Sequence, residues 1–225
     1  MYVLHIANKV YSSWSLRPWA LMRQLGIAFE ERVHPFGGPS FRTFSPTARV
    51  PVLVDGSTTV WDSLAIVEYL AERHAGVWPD DGAARAWARC AAAEMHSGFQ
   101  VLRARCAMCV GLRIRLAETP EALDADVARI DALWTEGLQR FGGPFLAGAA
   151  FTAVDAFFCP VAYRVQTYGL ALSQPSRGYC ERLLETEAMR RWTAEALSEP
   201  WRDPPHESSL RAAGEWLEDL RTANA

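Results

Sequence analysis

The 225-residue chain has a single lysine, Lys9, and no tract of clustered basic residues; its formal net charge is −3. Nucleic-acid binding draws its affinity from clustered positive charge against phosphates, so this shortage excludes it. No apolar run reaches the roughly 20 residues that span a bilayer, which excludes a membrane helix. The opening "MYVLHIANKV" has neither the charged start nor the long apolar stretch of a secretion signal. Cysteine is scarce: there are five, an odd number at scattered spacings. The expectation is reduced thiols in a cytoplasmic protein rather than a disulfide framework. Cys106-x-x-Cys109 has no second cysteine pair and no histidine at matching spacing. It reads as core packing inside a helix, with no metal site.

Half of the residues are hydrophobic, enough for a buried core in one or two domains. "YVLHIA" is a short apolar strand, and "FEERVHP" alternates as a second. Between them the pattern predicts a helix from about Ser15 to Leu25, stopped by Gly26. "FGGPSFRTFSPTA" is a loop. "VPVLVD" and "STTVWD" are strands joined at Asp55-Gly56, and a helix follows over about Ser63–Arg73. A β-α-β unit carries parallel strands and a right-handed crossover. "HAGVWPDDGAA" breaks the pattern and serves as a linker. The rest is Ala-rich and helical in character, with no strand expected. The organisation is α/β followed by all-α: residues 1–76, then 85–225.

"KVYSSWSLRPWALM" sets Ser12, Ser13 and Ser15 ahead of the first helix. Two uses fit hydroxyls there. One is capping, with Ser15 as the cap and Pro18 tolerated in the first turn. The other is activation of a thiol, since a hydroxyl donor and a helix N-terminus both favour thiolate. Asp62-Ser63 also opens a helix, where free N–H groups attract anions or accept a cap. Val50-Pro51 precedes a strand, as a cis turn or as an edge-strand proline. Thr152-Ala-Val-Asp155 has the form of a capping box and is given a structural role only.

Four motifs in order resemble the cytosolic glutathione transferases. "SSWSLR" is similar to the zeta-class Ser-Ser-Cys-Ser-x-Arg, and "RVPVLVDG" to the family's cis-proline strand. "VWDSLAIVEYLAER" is similar to the helix of the glutathione site, and "FLAGAAFTAVDAFFCPVA" to the folding motif of the helical domain. The resemblance implies a thioredoxin-like domain that binds glutathione as co-substrate, followed by an all-helical domain, in a homodimer. It implies Ser12 as the leading thiol-activating residue, with Ser13 as donor or support and Tyr11 as a lesser alternative. It places glutathione along Ser12, Arg17, Val50, Pro51, Asp62 and Ser63. Arg17 is either structural or a ligand charge partner. The co-substrate pocket would draw on Trp14, His96, Phe99, Gln100 and Arg164, although the segment around His96 is equally an ordinary helix face.

Trp14 departs from the signature's cysteine, which disfavours thiol–disulfide exchange through the protein. Thr167 aligns where zeta enzymes carry an arginine. The implied activity is attack of glutathione thiolate on small, largely apolar electrophiles. The alternatives are a maleylacetoacetate-type isomerase, a peroxidase or dehalogenase, or a binding protein without turnover.

Overall fold

The computed structural model describes residues 1–222. The first half follows the expected order. Strand β1 (Tyr2–Ile6) is followed by α1 (Ser13–Gln24), β2 (Phe29–Val33), β3 (Val52–Asp55), β4 (Thr58–Val60) and α2 (Ser63–Ala71). The sheet order is β2-β1-β3-β4. β1 runs parallel to β2, with Tyr2 opposite Phe29, and antiparallel to β3, with Leu4 opposite Leu53. This is the thioredoxin-like arrangement, with Leu4, Ile6 and Leu53 buried under the helices.

Helix α1 starts two residues earlier than the sequence pattern predicts. The Asn8 carbonyl accepts from the N–H groups of Tyr11 and Ser12, which turns the chain into the helix with Ser12 as N-cap. Ser15 therefore lies inside the helix and is not its cap. Pro18 lies beyond the first turn, where its missing N–H deprives the Trp14 carbonyl of its helical donor.

The second half comprises α3 (Gly82–Ser97), α4 (Gln100–Arg105), β5 (Leu112–Leu116), α5 (Glu121–Phe141), α6 (Ala153–Tyr168), α7 (Gln174–Leu184), α8 (Glu187–Leu197), α9 (Pro204–Ala213) and β6 (Gly214–Asp219). It is helical but not wholly so. β5 and β6 form an antiparallel pair, with a register shift at Arg113/Ile114 and a cross-strand ion pair between Arg115 and Glu215. "LRIRL" buries Leu112 and Ile114 and turns its arginines outward, a period of two. "GEWLED" shows little such alternation, so β5 itself supplies the template for β6.

Cys106 ends α4 rather than lying within a helix, and Cys109 follows in irregular chain. Burial pushes their thiols up to about 11 and about 12, which leaves both inert at neutral pH.

α6 is the central helix, and every residue from Ala153 to Arg164 is buried. Its N-terminus carries the capping box: the Asp155 carboxylate accepts from the Thr152 N–H at 2.9 Å. The linker is anchored there as well, since the Val77 carbonyl accepts from the Ala153 N–H. Among the described residues no helix is long and apolar enough to cross a membrane.

The single lysine fastens the two halves together. Lys9 is buried, and its ammonium pairs with Glu31 on β2 and Glu195 on α8. It also lies 5.2 Å from the Trp19 ring centroid and 5.6 Å from that of Trp192. Glu199 accepts from the backbone N–H groups of Lys9 and Val10. Removing one member of a largely buried ionic group leaves the others desolvated without compensation. Lys9→Met is therefore expected to cost about 3 kcal/mol of stability, read by urea unfolding. A loss within experimental error would show that Glu31 and Glu195 rehydrate freely.

Candidate functional site

A cavity of about 860 Å³ opens between the two halves. Its floor is the start of α1. Ser12 and Ser13 line it, and the Ser12 hydroxyl makes no capping bond to the helix backbone. Instead it donates to Ser15 Oγ at 2.7 Å, and Ser15 Oγ also accepts from the Ala7 N–H at 3.3 Å. The two hydroxyls thus form a short relay from the β1 end to the cavity. Tyr11 lines the cavity too, but its hydroxyl donates to Glu207 Oε1 at 2.5 Å. Burial and that carboxylate drive the phenol pKa upward, so Tyr11 is poorly suited to yield or share its proton.

Val50 and Pro51, joined by a cis peptide bond, form part of one wall. Asp62 stands at the N-terminus of α2, where Oδ1 accepts from the Leu64 N–H at 3.1 Å and Oδ2 lies 3.3 Å from His96 Nε2. Ser63 is fully buried behind it and does not reach the cavity. Arg17 Nη1 lies 3.4 Å from Ser63 Oγ and 3.5 Å from His96 Nδ1. Asp62, His96, Arg17 and Ser63 therefore form a connected chain, of which Asp62 alone meets the cavity. Arg17 is fully buried, its guanidinium carbon 4.1 Å from the Trp14 ring centroid, and its Nε and Nη2 have no partner. Burial and the nearby Arg103 and Arg164 push its pKa well down.

Among the proposed co-substrate residues, Trp14 and Arg164 line the cavity. Arg164 is buried; its Nε donates to the Cys106 carbonyl at 2.8 Å and its Nη1 to that of Pro160 at 3.1 Å. Burial, reinforced by Arg103, holds its pKa down to about 10. His96 lies behind Trp14, edge-on at 5.2 Å between ring centroids. Phe99 is buried at the start of α4 with φ of 58°, and Gln100 is exposed, its amide donating to the Ser97 carbonyl. None of these three lines the cavity. Thr167 is turned away as well, its hydroxyl donating to the Cys109 carbonyl.

Residues 11–73 match the family model of the glutathione S-transferase N-terminal domain. A solved glutathione transferase homolog from Burkholderia GL BGR1, with bound glutathione, superposes with a TM-score of 0.66 at 21% identity, covering 87% of this chain and 97% of that one. A glutathione transferase from Methylococcus capsulatus strain Bath gives 0.67 at 22% identity, covering 88% and 100%. The fold is that of a glutathione transferase. Dichloromethane dehalogenase from Methylophilus leisingeri is 54% identical over 37 residues, 16% of this chain and 14% of that protein. The dehalogenase of Methylorubrum extorquens is 40% identical over 65 residues, 25% and 23% respectively. The aligned stretch thus spans less than a quarter of either curated relative.

Within this transferase fold the cavity gains residues that sequence reasoning missed. Arg49, Arg103 and His206 line it, as do Phe36 and Phe41 from the loop after β2. Arg103 donates to the carbonyls of Gly98 and Met95 and lies 5.1 Å from the Trp14 centroid, on the ring that Arg17 also contacts. With Arg164 this makes three arginines in the wall against one carboxylate, Asp62. Such a cavity favours anionic ligands. "VLRARC" carried no signal for this, because Arg103 and Arg105 alternate on a short helix and only the fold selects which one faces inward.

Proposed function

We propose that the chain is a glutathione transferase that activates the thiol at Ser12. The observation that carries this reading is the Ser12 hydroxyl at the N-terminus of α1, uncommitted to capping and held in an arginine-rich cavity beside Val50–Pro51 and Asp62. Glutathione, with two carboxylates, suits that charge. Its cysteinyl backbone would pair at Val50, in the manner of strand addition, with the cis Pro51 shaping the wall. Its γ-glutamyl ammonium would meet Asp62. Ser63 and Arg17 would act from behind, Arg17 holding the α2 start and adding positive potential. Ser13 supports the turn.

The thiol then sits over the α1 N-terminus. For Ser12 to donate to sulfur, its bond with Ser15 must reverse. Ser15 can donate to Ser12 while still accepting from Ala7, which frees the Ser12 proton for the thiolate. Hydroxyl and helix dipole together lower the thiol pKa from the usual value near 8.5. The thiolate attacks an electrophilic carbon beside Trp14; an S–C bond forms, and the displaced pair leaves with the leaving group or shifts along a conjugated system.

Calorimetric titration with glutathione, together with thiolate absorbance against pH, tests the reading. Binding with a lowered thiol pKa supports it. Binding with an unshifted pKa favours a carrier without turnover, and no binding overturns it. The local likeness to dichloromethane dehalogenases makes dichloromethane a useful electrophile, with chloride release as the readout. The resemblance adds a cytoplasmic homodimer, testable by sedimentation.

A second reading is favoured by one observation: Arg164 is buried in the cavity wall and has no carboxylate partner among the described residues. An acidic co-substrate, as in a maleylacetoacetate-type isomerase, would supply that partner. Arg164→Met is expected to raise KM for a cis-dienoic acid at least about tenfold, the scale of one charged hydrogen bond, and to leave a neutral electrophile little affected. Equal effects on both would reduce Arg164 to a packing role.

A further inference from the structure

His206 and Asp203 form a dyad at the cavity that the reading above does not use. Asp203 is the N-cap of α9 and is buried, with its Oδ2 accepting from the His206 N–H at 3.2 Å and lying 2.5 Å from His206 Nδ1. The imidazole packs against two aromatic rings. It stacks on Tyr11 at 4.8 Å and 21°, and on Phe36 at 4.9 Å and 29°. Tyr11, Phe36 and His206 all line the cavity. Nδ1 lies on a carboxylate, the side chain is 35% exposed, and Nε2 has no hydrogen-bond partner among the described residues. A carboxylate at Nδ1 holds the proton there and leaves a lone pair on Nε2, which is the base form of a histidine.

The other proton acceptors near the cavity are already occupied. Asp62 takes the Leu64 N–H and lies against His96. Glu207 accepts from Tyr11 and from two nitrogens of Arg221. Tyr11 is itself a donor, and it is the residue preceding Ser12. Among the described residues, His206 is thus the cavity's one uncommitted nitrogen base.

We infer that His206, oriented by Asp203, takes the thiol proton of bound glutathione on Nε2 and later returns it to the co-substrate. The inference rests on glutathione being the thiol bound here. The S–H bond breaks, its electron pair stays on sulfur and its proton moves to Nε2. The Asp203 carboxylate faces the resulting imidazolium. With an activated alkene, the S–C bond forms, the π pair moves to the far carbon or its carbonyl oxygen, and that atom takes the proton from Nε2. His206 ends neutral, and no outside acid or base is consumed. Ser12 stabilises the sulfur anion; His206 holds its proton. Asp203 is a positioning residue.

Proton counting tests this in a way that activity alone would not. Glutathione is added to the protein in weak buffer at about pH 7.5, where a histidine is ordinarily neutral. Thiolate absorbance and indicator-detected proton release are recorded together, with S-methylglutathione subtracted as the thiol-free control. The wild type should form thiolate with clearly less than an equivalent release of protons. In His206→Gln, thiolate should diminish or appear with equivalent release. Asp203→Asn keeps an N-cap acceptor but removes the charge opposite the imidazolium, and should retain fewer protons at an unchanged unfolding midpoint. In the wild type itself, the His206 ring-proton NMR signal should move to the imidazolium position with glutathione and not with S-methylglutathione, so the test survives a variant that fails to fold. Equivalent release in the wild type, a His206→Gln variant that still retains the proton, or an unmoved signal would each overturn the dyad while leaving the Ser12 site intact. Absence of glutathione binding by calorimetry would remove the reading beneath it, and the dyad with it.

Discussion

Ser12→Ala is expected to return the bound glutathione thiol toward its free pKa and to slow turnover by about two to three orders of magnitude, the usual cost of removing one donor from a developing anion. The geometry makes the hydroxyl consequential. Ser12 caps α1 in position only, with no side-chain bond to the helix backbone, so the alanine variant loses little helix stability. Among the described residues the one partner of its hydroxyl is Ser15, which keeps the Ala7 N–H after the substitution. The structural effect is thus small and the chemical effect large. Thiolate absorbance against pH separates them, since affinity for glutathione should change little while the midpoint rises. A lowered midpoint that survives the substitution would move the activation to Ser13 or to backbone N–H groups at the α1 start. Ser15→Ala should raise the midpoint by a smaller amount, because it removes the donor that frees the Ser12 proton.

The largest expected loss of stability lies far from the cavity mouth. Asp155 is completely buried, and its carboxylate accepts from the N–H groups of Leu146 and Thr152 and from the Tyr179 hydroxyl, at 3.0, 2.9 and 2.8 Å. Asp155→Ala would take the acceptor from four buried donors, the Thr152 hydroxyl at 3.3 Å being the fourth. At 1–3 kcal/mol each the expected cost is about 4–5 kcal/mol, or roughly 10–15 °C in Tm for a chain of this size.

Asp155 also contributes a pH dependence. Burial outweighs the donors and pushes its pKa up to about 6, above the ordinary 3.8. The folded chain therefore binds this proton before the unfolded chain does. The associated stability is fully present below the unfolded pKa and is lost as pH rises through about 6. Measured against Asp155→Asn, the wild type should gain roughly 2–3 kcal/mol as pH falls from about 7 to about 4. A difference between the two that is flat with pH would mean that the four donors hold Asp155 ionised throughout.

Much of the first half was legible in the sequence, and for local reasons. β1, β2 and β3 are short apolar or alternating runs bounded by turn residues, and α2 follows a capping aspartate. The capping box needs only residues three apart. The start of α1 was misplaced because Ser12 and Ser15 are equally good caps in isolation. The Asn8 carbonyl chose between them by turning the chain early. β5 shows alternation, but over five residues, and its partner lies about a hundred positions away; a pair so distant has no signature inside any short window.

The site divides along the same line. Ser12, Ser13, Trp14, Val50, Pro51 and Asp62 were identified from motifs and meet in the cavity. Arg17, Ser63 and His96 lie behind it as a connected support, and Phe99 and Gln100 stand aside. His206 lies in "RDPPHESS", which offers no motif; it reaches the cavity because the chain returns across Tyr11 and Phe36 after α8.

The sequence by itself determined the strand and helix order of the first half, the start of α2 at Asp62-Ser63, the capping box at Thr152, and a net charge of −3. These depend on neighbours within a few residues or on totals. Tertiary structure alone decided which hydroxyl faces the cavity, which arginines are desolvated around it, and that an aspartate-held histidine joins them. Desolvation and charge proximity are set by residues distant along the chain, and only packing brings those together.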